Sequence, residues 1–388
     1  MGNKFRYFYI FLIVLFCCGS SAFAQNEIRY RIGQGYDRMF YNTNNPKIEI
    51  VAYNKDEYLG CNADIVCKVE SFDGEPVYQF FQRFYAAPSD SATLGFSFSV
   101  APGFYRVILE KEGEAIERAV MGYEPEKIID KSFANSFVLE NGSTVYASEI
   151  PLLWKVSVNV LADIPINADV HKVKKNGGKL RNAYKVTMRS VENAVIEGYY
   201  VTPKKSGVYP VAITCTDKNE ELWIPDCNCN GERIDFVIAP RKTRVPNEAH
   251  YFNMCMDVVR AIDFVVHRKE ADLKNIVLNG RGVGGALAIG AAALDNRVAA
   301  VSAYAPALSI ESADGREKVY DIKYMSGELK CPLLMGVGLE DTMCPPHKNF
   351  EIYNRVESVK EYYIFVNDHS LPALWSELAD NFYSKHRR

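Results

Sequence analysis

A glycine-rich stretch, residues 279–285, follows an apolar run and opens into a segment of small residues. Two kinds of chemistry use such a turn between a strand and a helix. Gly280, Gly282 and Gly285 match G-x-G-x-x-G, in which helix N–H groups bind a pyrophosphate. That pattern also needs an acidic residue at the end of the next strand, where this chain has Ala305. The match to a dinucleotide site is therefore weak.

The same stretch fits a second pattern, the G-x-S-x-G nucleophile elbow, at both flanking glycines, Gly280 and Gly284. The central position, where the elbow presents its serine, is Gly282, and glycine has no side chain to acylate. The partners of such a nucleophile follow in the order acid then histidine, each just after a predicted strand. Asp341 would orient the imidazole, and His369 would be the general base. The residues predict the acid and base of an acyl-transfer site without its nucleophile.

Further residues strengthen the comparison with esterases. Residues 251–369, and more loosely the whole second part of the chain, resemble the acetyl xylan esterase and cephalosporin-C deacetylase family, carbohydrate esterase family seven, of the α/β-hydrolase fold. The resemblance implies carboxylic ester hydrolysis, with the family's acid at Asp341 and its histidine at His369. The matching residues are Asp257, Arg260-Ala261, Gly280, Gly284-Gly285, Ala292-Ala293-Leu294-Asp295, Cys331-Pro332, Gly338-Leu339-x-Asp341, Cys344-Pro345-Pro346, Tyr353-Asn354 and His369.

The chain departs from this family in three places. The nucleophile serine is Gly282, and the segment between Pro306 and Asp341 is shorter than usual. The family's oxyanion loop should fall near residues 214–219, which contain no glycine and include a carboxylate. The backbone N–H of Val283 remains as one oxyanion donor. Glycine adopts the elbow conformation without the about 1–3 kcal/mol of strain that serine bears, so a chain relieved of catalytic selection is expected to drift this way.

Two functions are consistent with these residues. In the first, the protein is an exported esterase-fold homologue that no longer runs acyl-enzyme chemistry and binds a carbohydrate or partner, with acetylated carbohydrate or a small ester as ligand. In the second, it is a working acetyl esterase. There Asp341 and His369 activate water directly, or a hydroxyl or thiol such as Cys215 replaces the serine. Neither function requires a cofactor, and Arg281 is expected to pack or pair locally.

The elements around these residues predict a mostly parallel sheet with helices on both faces, an α/β-hydrolase domain over residues 151–388. The clearest helix covers residues 248–268, where apolar residues recur at three- and four-residue steps. The predicted strands are residues 184–189, 194–201, 208–215, 234–238, 276–279, 298–304, 333–338 and 362–366.

Residues 25–126 have a different pattern of short, alternating apolar runs separated by turns. This pattern predicts a small all-β, immunoglobulin-like sandwich, with strands within residues 47–52, 65–69, 94–100 and 104–110. Residues 127–150 are predicted to link the two domains.

The first 24 residues read as a cleavable signal peptide. Lys4 and Arg6 precede an apolar run of about 12 residues, shorter than the ~20 that span a bilayer, and Ala22 and Ala24 form an A-x-A cleavage site. We therefore expect a mature chain that starts at Gln25, is secreted or periplasmic, and has no membrane span.

Composition limits the partners further. The 388 residues include 45 Lys and Arg against 48 Asp and Glu, a formal charge of −3, so nucleic acid is not an expected partner. The six histidines and the cysteines have no regular spacing, so no metal site is expected. The even number of cysteines beyond the signal permits disulfides, whose pairing stays open, although Cys255, Cys331 and Cys344 are expected to be buried thiols. Those cysteines are Cys61, Cys67, Cys215, Cys227, Cys229, Cys255, Cys331 and Cys344.

Overall fold

The computed structural model describes residues 28–32, 38–41, 43, 46–130, 133–138, 142–173, 178–217, 220–229, 231–239, 241, 250–307 and 321–388. The predicted signal peptide lies outside the described residues, as do residues 248–249 at the start of the predicted helix.

Two packed sheets form the N-terminal part of the protein. β1, β3 and β6 pair in one antiparallel sheet, and the other sheet has the order β2-β8-β7-β4-β5, with β2 parallel to β8. This arrangement is the predicted immunoglobulin-like sandwich. The strands are β1 (Ile28–Ile32), β2 (Met39–Phe40), β3 (Lys47–Asn54), β4 (Cys61–Ser71), β5 (Pro76–Ala86), β6 (Ser91–Ser97), β7 (Gly103–Lys111) and β8 (Glu114–Tyr123).

Alternating side chains build the core of the sandwich. On β4, Ile65, Cys67 and Val69 are buried, whereas the residues between them are partly exposed. Successive side chains of a strand point to opposite faces, so this alternation gives β4 one buried face. That face and Leu109 of the neighbouring strand β7 share a hydrophobic core between the sheets with Ile50 of β3.

The chain between the two domains carries a small hairpin and a helix. β9 (Ser136–Val138) pairs with β10 (Thr144–Tyr146), and α1 covers Ile150–Ala162. The predicted linker therefore includes the hairpin. The helix itself was not predicted, because Val156, Val158 and Val160 alternate as they would in a strand.

A large mixed sheet forms the second domain. Its order is β11-β12-β13-β15-β14-β16-β17-β18-β19, and all neighbours from β15 to β19 in this order are parallel. The strands are β11 (Asp169–Lys172), β12 (Arg181–Arg189), β13 (Val195–Pro203), β14 (Tyr209–Cys215), β15 (Ile234–Ile238), β16 (Ala271–Arg281), β17 (Val298–Tyr304), β18 (Leu333–Gly338) and β19 (Lys360–Phe365).

Helices cover both faces of this sheet. On β17, Val301 belongs to the core that contains α2 and α3, whereas its neighbour Ala300 packs in a second core with Trp375 and Phe382 of α5. The predicted α/β architecture with two covered faces is therefore confirmed. The helices are α2 (His250–Val266), α3 (Val283–Leu294), α4 (Pro346–Arg355) and α5 (Trp375–Lys385).

The sandwich packs against the α/β domain near the end of β18. The rings of Phe104 on β7 and Phe350 on α4 have centroids 5.7 Å apart. Arg38 Nη1 donates to Glu340 Oε1 at 2.8 Å. Because Glu340 immediately precedes Asp341, the sandwich contacts the loop that carries the predicted acid.

Candidate active site

The candidate site begins at the turn between β16 and α3, where Gly282 has φ 55° and ψ −124°. Residues with side chains are strained at such a positive φ. The flanking glycines are required for space, since a Cβ on Gly280 would lie 2.4 Å from the Gly284 backbone, and one on Gly284 would lie 2.1 Å from the Cys215 carbonyl oxygen. The two glycines that the chain shares with the elbow pattern are therefore needed for packing, whatever chemistry the turn supports.

Asp341 and His369 lie together at the carboxyl end of the parallel strands. His369 Nδ1 is 2.8 Å from Asp341 Oδ2, so the imidazole donates to the carboxylate. Asp341 is buried, and its Oδ1 accepts the backbone N–H groups of Met343 at 2.9 Å and Cys344 at 2.8 Å. The structure thus brings the predicted acid and base into hydrogen-bonding contact.

A second carboxylate, that of Asp217, lies where a side chain at position 282 would project. It follows β14, and a Cβ on Gly282 would lie only 2.7 Å from each of its carboxylate oxygens. Asp217 Oδ1 accepts the backbone N–H of Val283 at 3.1 Å, and Oδ2 is 3.5 Å from His369 Nε2. The carboxylate of Asp217 therefore fills the space of an elbow side chain and occupies the predicted oxyanion donor.

The loop after β14 holds Asp217 in this position. Glu220 Oε2 accepts the backbone N–H of Asp217 at 3.1 Å. Arg281 lies 4.0 Å from each of these acidic side chains, Nε from Asp217 Oδ2 and Nη2 from Glu220 Oε1. Arg281 thus pairs locally, as the sequence predicts, and adds positive charge at the site.

These contacts change the protonation of His369. Hydrogen bonds to Asp217, Asp341 and Cys344, in that order of effect, raise the pKa of His369 to about 11, against an opposing effect of burial. The imidazole is therefore an imidazolium between two carboxylates at neutral pH. In that state it cannot take a proton from a nucleophile.

Cys215 does not fit as a substitute nucleophile, and this part of the sequence prediction is wrong. The side chain is buried at the end of β14, and burial raises the pKa of its thiol to about 12. Cys344 is instead the cysteine that hydrogen bonds with His369, and burial also raises the pKa of its thiol. The eight cysteines among the described residues are free thiols, and seven of them are buried.

Asp341, Cys344 and His369 offer ligand atoms within 4.8 Å of one another, which is close enough to hold a metal ion. Their chemistry argues against this. His369 Nδ1 is engaged by Asp341, and the raised pKa of the Cys344 thiol opposes the thiolate that a metal needs. Hydrogen bonding accounts for the cluster.

The sequence pointed to Asp341, His369, Gly282 and Val283 but gave Asp217 no function. The available signal was the replacement of the expected glycine-rich oxyanion loop by residues 214–219, which include this carboxylate. That Asp217 reaches across to Gly282 follows only from the neighbouring positions of β14 and β16 in the sheet.

The strand order, the elbow-like turn and the Asp–His pair at the ends of parallel strands define an α/β-hydrolase. Two solved structures share this fold. The acetyl xylan esterase 1 of Thermoanaerobacterium sp. JW/SL YS485 has a TM-score of 0.54 and 17% identity, over 61% of this chain and 93% of that protein. The acetyl xylan esterase of Paenibacillus sp. R4 has a TM-score of 0.56 and 22% identity, over 61% of this chain and 94% of that protein.

Sequence comparison shows which family the C-terminal part of the chain resembles. A profile of the acetyl xylan esterase (AXE1) family matches residues 241–311 and 317–385, which include α3, Asp341 and His369. The acetyl esterase Axe7A of Xylanibacter ruminicola is 25% identical over 323 residues, which cover 69% of this chain and 71% of that protein. Over these residues the chain is similar to the acetyl xylan esterase family. Within the described residues, every helix is too short or too polar to cross a bilayer.

Proposed function

We propose that this protein is an exported acetyl xylan esterase homologue that does not use the acyl-enzyme serine mechanism, and that it binds an acetylated carbohydrate or a partner through the inherited site. One observation carries the proposal. Position 282, where the elbow pattern has a serine, is glycine, and the carboxylate of Asp217 fills the space of its side chain. The names of the relatives suggest acetylated xylan as the class of ligand.

Three features each oppose ester hydrolysis by the family mechanism. No side chain at position 282 can be acylated, the N–H of Val283 already binds Asp217, and His369 is protonated. Without one triad member, serine proteases retain only ~10³–10⁴-fold acceleration over water. Loss of an oxyanion donor lowers the rate by a further ~10²–10³. Together these losses leave little acetyl esterase activity.

Acetate release from acetylated xylo-oligosaccharide by the mature chain, from Gln25, tests this proposal. We expect no release above background, with the Paenibacillus sp. R4 enzyme as the positive control. Calorimetric titration with the same oligosaccharide, before and after chemical deacetylation, measures binding. Acetate release at the rate of the control enzyme would refute the non-catalytic function. If neither the acetylated nor the deacetylated oligosaccharide binds, the proposal of a carbohydrate ligand is refuted.

Export is tested separately by expression of the full chain in a bacterial host and by N-terminal sequencing of the released protein. We expect Gln25 as the first residue, because the apolar run before Ala22 and Ala24 is short enough for a signal peptide. Retention of residues 1–24 in the membrane fraction would contradict this expectation.

An alternative proposal is an active acetyl esterase in which the Asp341–His369 pair activates water. The 2.8 Å contact between these residues favours it. Such catalysis needs a neutral imidazole, so activity should rise with pH toward the pKa of His369. Activity that is unchanged in His369→Ala would eliminate this mechanism.

A further inference from the structure

Asp217 is placed as a nucleophile would be, with its two oxygens in different surroundings. Oδ1 accepts the N–H of Val283 at 3.1 Å, the position of an oxyanion donor, and Oδ2 lies 3.5 Å from His369 Nε2. We propose that Asp217 is a carboxylate nucleophile that attacks a saturated carbon bearing an anionic leaving group, such as a primary alkyl halide or sulfonate. His369 and Asp341 then serve in hydrolysis of the resulting ester.

The occupied oxyanion donor selects this class of substrate. Attack on an acyl group places negative charge on the substrate's own carbonyl oxygen, which needs free donors. Here the N–H of Val283 binds Asp217 itself. Displacement at a saturated carbon creates no such oxyanion, because the charge leaves with the departing group. The guanidinium of Arg281, 4.0 Å from Asp217 Oδ2 and partly exposed, lies where it can attract that anion.

Each step balances. In the first, Asp217 Oδ2 forms a bond to the substrate carbon as the bond to the leaving group breaks, and a halide or sulfonate anion departs. In the second, His369 first loses its imidazolium proton to solvent, and water then adds to Cγ of Asp217 as His369 takes a proton from the water. The new oxyanion lies on Oδ1, beside the Val283 N–H. When the bond between Cγ and the ester oxygen breaks, His369 returns the proton to the alcohol. The new carboxylic acid then passes its proton to His369, which restores the Asp217 carboxylate and the imidazolium.

The charge of His369 follows these steps. Asp217, Asp341 and Cys344 all bond to His369, and Asp217 makes the largest contribution to its raised pKa. Conversion of Asp217 into a neutral ester removes that contribution, so the imidazolium can lose a proton. Asp341 remains to orient the ring. The base is thus held protonated until the ester forms and becomes available when water must be activated.

Gly282 is necessary for this arrangement. Any side chain there would displace the Asp217 carboxylate, since a Cβ would lie 2.7 Å from both oxygens. The inference goes beyond the proposed function and does not depend on it, because acetate release and alkylation of Asp217 are measured separately.

The test is a single turnover of excess protein with 2-bromoethanol in water enriched in heavy oxygen, followed by peptide mass spectrometry and bromide measurement. Because water attacks Cγ, we expect heavy oxygen in the carboxylate of Asp217 and ordinary oxygen in the alcohol released in the first turnover. His369→Ala should form the ester but not hydrolyse it, so the Asp217 peptide keeps the mass of one hydroxyethyl group. Asp217→Asn should release no bromide above background.

Asp368→Asn is the matched control. It removes an exposed carboxylate next to His369 that accepts the N–H of Ser370, and labelling of Asp217 should persist. Unlabelled Asp217 together with no adduct in folded His369→Ala would overturn the proposal, as would equal labelling of exposed carboxylates. If His369→Ala does not fold, the site of heavy-oxygen incorporation in the wild type decides the question alone.

Discussion

A Cβ on Gly282 would lie 2.7 Å from both carboxylate oxygens of Asp217, so the two residues exclude one another's side chains. Asp217 reaches the elbow because position 282 is glycine, and position 282 cannot regain a side chain while Asp217 is there. The glycine at position 282 and the Asp217 carboxylate after β14 are thus sterically coupled.

Restoring the serine alone should fail. We expect Gly282→Ser to release no acetate from acetylated xylo-oligosaccharide and to lower the free energy of unfolding by at least about 1–3 kcal/mol, because of the positive φ and the contact with Asp217. The double variant Gly282→Ser with Asp217→Gly frees the Val283 N–H and should gain acetate release. Asp217→Gly alone is the control, and activity of Gly282→Ser by itself would disprove the coupling.

The ionisation of His369 should depend on Asp217. NMR titration of the imidazole should give a wild-type pKa near 11, and Asp217→Asn should lower it because the largest cause of the shift is removed. Asp368→Asn should change it little. An imidazole in the wild type that titrates near the usual ~6.5 would contradict the described charge arrangement.

The same ionisation predicts how stability changes with pH. The pKa of His369 is raised in the folded protein, so its stabilising contribution is complete below the unfolded pKa of about 6.5 and is lost as the pH rises toward about 11. Between these values wild type should lose more unfolding free energy than His369→Gln, as measured by urea denaturation at several pH values. Parallel curves for the two proteins would count against the prediction.

A buried ion pair should be a second point of sensitivity. Arg241 and Asp257 form two hydrogen bonds, 2.7 Å and 2.5 Å long, and both side chains are buried. Asp257→Ala leaves the buried Arg241 guanidinium with only 3.4 Å contacts to Glu192 and Ser190, and it should reduce the unfolding free energy by up to about 3–5 kcal/mol. Glu197→Ala, which breaks the exposed pair with Lys185, should change it by less than about 1 kcal/mol. If the two variants lower the unfolding free energy equally in denaturant unfolding, the buried pair does not stabilise the protein more than the exposed pair does, and the prediction is wrong.

The contact between the sandwich and α4 should contribute to stability. Phe104 is buried against Phe350, so Phe104→Ala should reduce the unfolding free energy by about 3–5 kcal/mol and separate the thermal unfolding of the two domains. Phe81→Ala, at a ring that is 67% exposed, is the control and should change it by less than about 0.5 kcal/mol. A single unchanged transition in Phe104→Ala would show that this contact does not couple the domains.

Much of this protein could be predicted because local patterns act over short distances. The alternation on β4 and the spacing of apolar residues in α2 predict a sandwich followed by an α/β domain, and the bounds of β15, β17 and β18 agree with prediction. α1 was missed because its valines follow a strand-like pattern. β16 extends on both sides of its predicted bounds, since pairing with β14 and β17 orders residues that local preference does not.

The sequence by itself predicted the fold and the pairing of Asp341 with His369, and it shows glycine at position 282. Only the tertiary structure decided which group lies beside Gly282. Asp217 lies far from Gly282 along the chain, and the parallel pairing of β14 with β16 brings their ends together. The meeting of Asp217 with Val283 and His369, and the resulting charge on the imidazole, depend on distances between separate strands, which a linear pattern does not contain.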